Sequence, residues 1–298
     1  MPAEFDGYLS ERRRLIETRL REYLDAESDC PASLIEAMRY SLLAPGKRLR
    51  PLLVLMAAET VGGRSDDALP AACALEMVHT YSLVHDDLPA MDDDDLRRGM
   101  PTCHKKFGEA TAILVGDALL TLAFQVMSSE VKPPALAAEC CGELAKAAGV
   151  AGMVGGQMDD LAWEERGDGT VGVLESIHRR KTGALFQAAV RLGGRIGSGE
   201  QVKPTVLAAL DAFAICLGLA FQISDDLLDV EGRVETTGKV VHKDVGRGKL
   251  TYPGLIGVEP SRERLAAIAR EARGHLACFG ETGRYLDVLV QRIVERDR

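Results

Sequence analysis

Aromatic side chains are scarce in this chain. They make up 5% of its 298 residues, with a single tryptophan. No stretch alternates polar and apolar residues long enough to mark a sheet. Strands favour β-branched and aromatic residues, whereas the abundant Ala and Leu favour helices. Positive charge is also in deficit, with a formal net charge of −9. That argues against non-specific binding to nucleic acid or to a membrane surface, which needs a basic face. The seven cysteines are odd in number, show no CxxC spacing, and include the adjacent Cys140 and Cys141. Neither a disulfide framework nor a zinc site fits, and reduced thiols in a cytoplasmic setting are expected. Where a signal peptide would be apolar, the chain carries Glu11-Arg12-Arg13-Arg14. The longest apolar run, Val206 to Phe221, contains Asp211. It falls short of the roughly 20 residues of a membrane span, so a buried core helix without membrane insertion is expected. No GxxxxGK[ST] is present, which argues against a P-loop kinase. No Ser/His/Asp set or cysteine nucleophile stands at a suggestive spacing either.

Helical patterns fill most of the chain. They are expected over 5–28, 31–44, 51–61 and 66–87, the last with Ser65 as N-cap. More are expected over 109–129, 134–164, 171–192, 206–230, 260–279 and 282–296. Gly152, Gly155 and Gly156 predict a bend or close packing within 134–164. Residues 231–250 are glycine-rich and charged, hence a loop. No composition shift marks a boundary and no internal repeat shows. The reading is one domain over 1–298, an all-α bundle of about ten or more helices around a central cavity.

Residues Asp86 to Gly99 stand out. Asp86 and Asp87 close an apolar helical run, and Asp92, Asp93, Asp94 and Asp95 follow, then Arg97 and Arg98. A helix C-terminus already carries the negative pole of the helix dipole. Carboxylates heaped there are unfavourable unless a cation arrives, although a solvated acidic turn is the plainer alternative. A second cluster, Asp225, Asp226 and Asp229, sits near the end of the 206–230 helix. Asp225 and Asp229, four apart, share one face. If the two helices pack side by side, the clusters oppose one another, and Mg2+ suits a few carboxylates plus substrate phosphate oxygens. Asp86 and Asp92 could share an ion only if the chain folds back at Pro89.

Basic residues lie elsewhere. Gly46-Lys47-Arg48-Leu49-Arg50 puts three cations on a loop entering a helix, a setting suited to phosphate or to plain solvation. Lys181, Lys239 and Lys249 would each pass alone for surface residues. Taken with the acidic clusters, these groups describe a metal-bridged anion on one side and a directly paired anion on the other. Cations around a pyrophosphate would let it leave as an anion and leave a carbocation behind.

At these residues the chain resembles the trans-isoprenyl diphosphate synthase (polyprenyl synthetase) family, in its bacterial-type farnesyl diphosphate synthase branch. The resemblance rests on Gly46-Lys47-Arg48-Leu49-Arg50-Pro51, the aspartate motif with four residues between Asp87 and Asp92, and Arg97-Arg98-Gly99. It rests further on Gly116-Asp117-Ala118-Leu119, Gly155-Gly156-Gln157, Lys181-Thr182-Gly183, Phe221-Gln222-Ile223 and Asp225-Asp226-Leu227-Leu228-Asp229. It implies condensation of isopentenyl diphosphate head-to-tail with dimethylallyl or geranyl diphosphate. It also implies three Mg2+ ions, with Mn2+ able to stand in. Asp86, Asp92 and Asp225 would bind them, supported by Asp87, Asp226 and Asp229. Arg97, Lys181, Lys239 and Lys249 would hold the allylic diphosphate, and Gly46, Lys47, Arg50, His79 and Arg98 isopentenyl diphosphate. Lys181, Thr182 and Gln222 would stabilise the cation. Asp93, Asp94 and Asp95 are expected to be structural or to support the metal ligands from behind. A homodimer is implied.

In this family the residues four and five before the first aspartate motif help floor the tail pocket, here Ser82 and Tyr81. Tyr81 lies about 7 Å below Asp86 along the helix. Its bulk implies an early stop, hence a C15 product, with geranylgeranyl diphosphate the alternative. Leu250 after Lys249, and Val240-Val241-His242-Lys243 after Lys239, depart from the family pattern and leave the placement of Lys239 open. A class I terpene cyclase would lack the second anion site at Gly46–Arg50, and a non-catalytic partner subunit would lack one aspartate motif.

Overall fold

The computed structural model describes residues 2–166, 169–199, 203–231 and 250–295. Helices fill almost all of them. In chain order these are α1 (Pro2–Ala26), α2 (Ala32–Leu42), α3 (Leu49–Thr60), α4 (Ser65–Asp86), α5 (Cys103–Phe107), α6 (Glu109–Glu130) and α7 (Pro134–Ala148). There follow α8 (Met153–Arg166), α9 (Val171–His178), a π turn over Arg179–Gly183, and α10 (Ala184–Ser198). The last are α11 (Pro204–Glu231), α12 (Tyr252–Ile256), α13 (Val258–His275), a 3-10 segment over Ala277–Gly283, and α14 (Arg284–Val294). The fold is all-α, as expected.

The apolar faces explain the packing. Helix α3 buries nine of its twelve residues, Pro51 to Ala58 and Thr60, between α4 and α10. Helix α4 also packs on α6, and α11 lies between α10 and α13. A helix buried on most sides reads as apolar all round, and α3 and α4 do so.

Several details differ from expectation. Ser65 is the first residue of α4 rather than its cap, and no side chain caps that end. Its hydroxyl bonds instead to Glu59, which also accepts from Tyr8 Oη at 2.6 Å and Arg12 Nε at 2.9 Å. The 134–164 pattern is two helices, parted by the turn from Gly149 to Gly152. The 171–192 pattern is interrupted by the π turn and then runs on to Ser198. A minimal hairpin pairs Leu96–Arg97 with Met100–Pro101, where no strand was expected. Its corner is Arg98 (φ 55°) and Gly99 (φ 76°), the two left-handed residues that a type I′ turn requires. Helices α6 and α11 are each long and apolar enough to cross a membrane by length and composition, with 44% of each apolar window buried within the fold. For α11 this corrects the expectation that the run is too short, because the helix continues well past Phe221.

Candidate active site

Helix α4 ends on Asp86, and Asp87 caps it. The chain then turns back on itself. The Asp92 N–H donates to the Asp86 carbonyl at 2.8 Å, and the Asp94 N–H to the Asp87 carbonyl at 3.2 Å. This is the reversal at Pro89 that a shared ion between Asp86 and Asp92 demands. Burial pushes the Asp86 carboxyl up to about 6; Asp92 and Asp87 add to this, while Lys181 and Arg97 oppose it. Such a concentration of buried negative charge is a standing electrostatic cost that a cation relieves. Asp87 is more deeply buried and is already paired: Arg97 Nε donates to its Oδ1 at 2.7 Å and Nη2 lies 2.6 Å away.

The second acidic group occupies the last two turns of α11. Asp225 and Asp229 are half-exposed, whereas Asp226 is buried and accepts the Tyr252 N–H at 2.9 Å. That bond ties the start of α12 to α11. The Asp229 Oδ2 is sealed from solvent and has no hydrogen-bond partner among the described residues. Charge influence links the two walls. Lys181 acts on Asp86, while Asp225 acts on Arg50 and on His178. Lys181 and Asp225 both act on His178, which stands at the start of the π turn.

Lys181 reaches that site from the π turn. Its Nζ lies 2.5 Å from Asp160 Oδ2 on α8. The π turn and α8 approach to backbone contact at Gly156, where a Cβ would fall 2.2 Å from the Lys181 nitrogen. Only glycine fits there. Thr182 is buried beside Lys181. Gln222 is half-buried next to Phe221, whose ring is 5.2 Å from that of Phe186. The Arg50 guanidinium lies over the Phe186 ring at 5.1 Å.

The basic loop divides its three cations. Arg48 adopts a left-handed backbone and turns inward. Its Nη1 donates to Glu76 Oε1 at 2.9 Å and its Nη2 to the Ala44 carbonyl at 2.9 Å. Arg48 is therefore structural, and the loop offers Lys47 and Arg50. Burial lowers the Arg50 pKa to about 10, and the neighbouring Arg98 reinforces this. His79 Nε2 lies 3.1 Å from Arg50 Nη1. Burial and the charges of Arg50, Arg98, Arg97 and Arg48 hold the His79 pKa well below its usual value, so the imidazole is neutral and Nε2 accepts. Arg98 crosses from the hairpin to the same loop and donates from Nη1 to the Pro45 carbonyl at 2.9 Å. It lies flat against Gly46, where a Cβ would come within 2.4 Å of Nη1.

Below Asp86, Tyr81 is buried and meets His85 edge-on, with ring centroids 5.7 Å apart. The Ser82 hydroxyl donates to the His79 carbonyl at 2.9 Å. Lys239 and Lys249, with Val240 to Lys243, lie outside the described residues.

Two acidic clusters, a neutral histidine and the cations Lys181, Arg50, Arg97 and Arg98 are thus held by one helical bundle. A family model described as polyprenyl synthetase matches residues 31–277. The chain belongs to the polyprenyl synthetase family. It is 47% identical over 295 residues to the farnesyl diphosphate synthase of Geobacillus stearothermophilus, covering 98% of each chain. It is 51% identical over 254 residues to geranylgeranyl pyrophosphate synthase 9, chloroplastic, of Arabidopsis thaliana, covering 84% of this chain and 70% of that one. The crystal structure of an FPP/GFPP synthase from Zymomonas mobilis superposes with a TM-score of 0.88 at 38% identity, covering 98% of this chain and all of the other.

Near Lys181 lie further polar residues to which sequence reasoning gave no role. Asp159 and Asp160 on α8 pair with Arg180 and Lys181. Gln157 is buried, and among the described residues neither of its polar side-chain atoms has a hydrogen-bond partner, nor do His178 Nδ1 and Arg50 Nε. The adjacent acids Asp159 and Asp160, one residue beyond Gly155-Gly156-Gln157, were the available signal. The burial of Gln157 and His178 had none.

Proposed function

We propose that this family member is a Mg2+-dependent trans-prenyltransferase. It joins isopentenyl diphosphate head-to-tail to dimethylallyl and then geranyl diphosphate, with farnesyl diphosphate as product. The observation that carries this reading is the reversal at Pro89, which sets Asp92 against Asp86 in a buried, negatively charged corner facing Lys181. Hard carboxylate oxygens from Asp86 and Asp92, with Asp225 and the Asp229 Oδ2 that no described residue pairs, fit Mg2+. When bound, the metal supplies charge neutralisation to a departing diphosphate.

The chain's own residues do the rest. Lys181 leaves Asp160 to pair with the allylic diphosphate, and Arg97, anchored on Asp87, does so from the hairpin. Lys239 and Lys249 are assigned to the same diphosphate. Asp87 and Asp226 steady the two walls through Arg97 and Tyr252. Lys47, Arg50, His79 and Arg98 hold isopentenyl diphosphate, with Gly46 admitting the Arg98 guanidinium. Thr182 and Gln222 border the reacting carbons, where hydroxyl and amide dipoles stabilise positive charge. Two separate anion sites distinguish this reaction from a cyclase, which needs one. Tyr81 closes the tail pocket and favours C15. The C20 reading keeps support from the geranylgeranyl synthase relative.

The assembly is a homodimer, with α6 at its interface. Ile113 and Leu114 on α6 are 46% and 56% exposed, and Val154 and Met158 on α8 leave further apolar surface open. Purified protein with isopentenyl and dimethylallyl diphosphates is expected to yield prenyl diphosphates with Mg2+ and none with a chelator. Absence of any product would defeat the reading. An Asp86→Ala variant with undiminished turnover would remove Asp86 from the metal site.

A further inference from the structure

Asp93 and Asp95 take no part in the site above. In the run Asp92 to Asp95, burial alternates: Asp93 and Asp95 are exposed, and Asp94 is buried. His104, the second residue of α5, packs against their side of the loop. One ligand atom from each of Asp93, Asp95 and His104 lies within 4.8 Å of the other two.

The hydrogen bonding of His104 gives this cluster its meaning. The Thr102 hydroxyl donates its only proton to the Asp94 carbonyl at 2.7 Å. Its oxygen, 3.1 Å from His104 Nδ1, can therefore only accept. The imidazole proton is thus fixed on Nδ1, and Nε2 presents a bare lone pair. His104 is 6% exposed, and its Nε2 is sealed from solvent with no hydrogen-bond partner among the described residues. A buried acceptor left without a donor costs about 1–3 kcal/mol. A histidine with one ring nitrogen tied to an oxygen and the other bare is the arrangement found at metal sites.

From this arrangement we infer a second metal site, made by Asp93, Asp95 and His104, for a borderline divalent ion such as Zn2+, Co2+ or Ni2+. An imidazole with two carboxylates suits these ions better than Mg2+, which prefers oxygen alone. The remaining positions face solvent and take water. Lys105 is the competitor, since its Nζ lies 2.8 Å from Asp95 Oδ1. The site spans the two ends of the hairpin that carries Arg97 and Arg98, because Asp93 and Asp95 precede it and His104 follows it. An ion there clamps the base of the hairpin and fixes where those arginines stand. The site does not depend on the proposed activity.

The test is calorimetric titration of Zn2+ into the full chain held in excess Mg2+, which occupies the carboxylate-only sites. The wild type is expected to bind Zn2+. His104→Gln and Asp95→Asn are expected to weaken that event about tenfold or more. Lys105→Met is expected to strengthen it, and Asp86→Asn to leave it in place. Long-range proton–nitrogen NMR of the wild type should show the Nδ1–H form of His104 before metal and a shifted Nε2 after. If His104→Gln fails to fold, Asp93→Asn, at an exposed position, replaces it. No Zn2+ binding, or binding unchanged in these variants, overturns the site. So does an event lost with Asp86→Asn, or one lost with Cys216→Ser, which would place the ion at the group Cys216, Glu271 and His275.

Discussion

A methyl group on Gly46 tests the proposed division of the two diphosphates. In Gly46→Ala the new Cβ would lie 2.4 Å from Arg98 Nη1 and 2.9 Å from Cζ. Ordinary contact begins near 3.4 Å, so the guanidinium must retreat by about 1 Å. Backbone does not stand in the way, and the displaced atoms are the far end of a flexible side chain. Stability should therefore change little. The retreat breaks the 2.9 Å bond to the Pro45 carbonyl, which aims Arg98 at the loop. A displacement of that size at a positioning group costs about 100-fold. The loss of one charge-assisted hydrogen bond, about 1.5–3 kcal/mol, is consistent with that figure. The expected outcome is a rise in KM for isopentenyl diphosphate of about one to two orders of magnitude. The KM for the allylic diphosphate should hardly move, because Arg97 and Lys181 are untouched. Steady-state kinetics with each substrate varied in turn reads both constants. Equal rises in both, or no rise in either, would refute the assignment of Gly46 and Arg98 to the isopentenyl side.

Other substitutions probe other layers. Tyr81→Ala should lengthen the product beyond C15, read by radio-TLC, and an unchanged product would take Tyr81 out of the pocket floor. Arg48→Met should destabilise the fold by about 3–5 kcal/mol, because Glu76 keeps a buried charge without its partner. Adding Glu76→Gln should restore most of that loss in urea melts; a double variant no more stable than the single one would sink the pairing argument. Acid should weaken the fold through His178, whose pKa is lowered to about 4 chiefly by burial, with Lys181 adding to the effect. The unfolded chain binds this proton near pH 6.5 and the folded chain only near 4. Stability is thus whole above 6.5 and falls by about 3 kcal/mol as pH drops to 4. His178→Gln should show a shallower decline over that window in chemical denaturation, and identical declines would count against the burial account.

The helices were legible because their apolar spacing is strong. So were the aspartates, because carboxylates at the ends of apolar helices conflict with local electrostatics. Other features depend on distant partners. Arg48 looks like Lys47 and Arg50 in the chain, and its inward turn rests on a buried partner, Glu76, 28 residues on. Ser65 has the chemistry of an N-cap, yet Glu59 draws its hydroxyl away. The hairpin at Arg98–Gly99 was missed because two-residue strands leave no alternating pattern. His104 gave no signal at all, since the state of its ring is set by Thr102 and the Asp94 carbonyl.

The π turn at Arg179–Gly183 has a consequence for how this chain can vary. A π turn holds one residue more than the helix around it needs. Deleting a single residue there would let α9 and α10 join as one regular helix. The extra residue is taken up inside the turn, so the flanking helices already keep the phase that one continuous helix would give them. Leu174 and Ile177 would stay on the core side. What a deletion would remove is the local bulge from which Lys181 meets Asp160. The turn thus serves its own side chains rather than the packing around it. Among descendants of this chain, loss of one residue within 179–183 should spare the bundle and cost the Lys181–Asp160 pair.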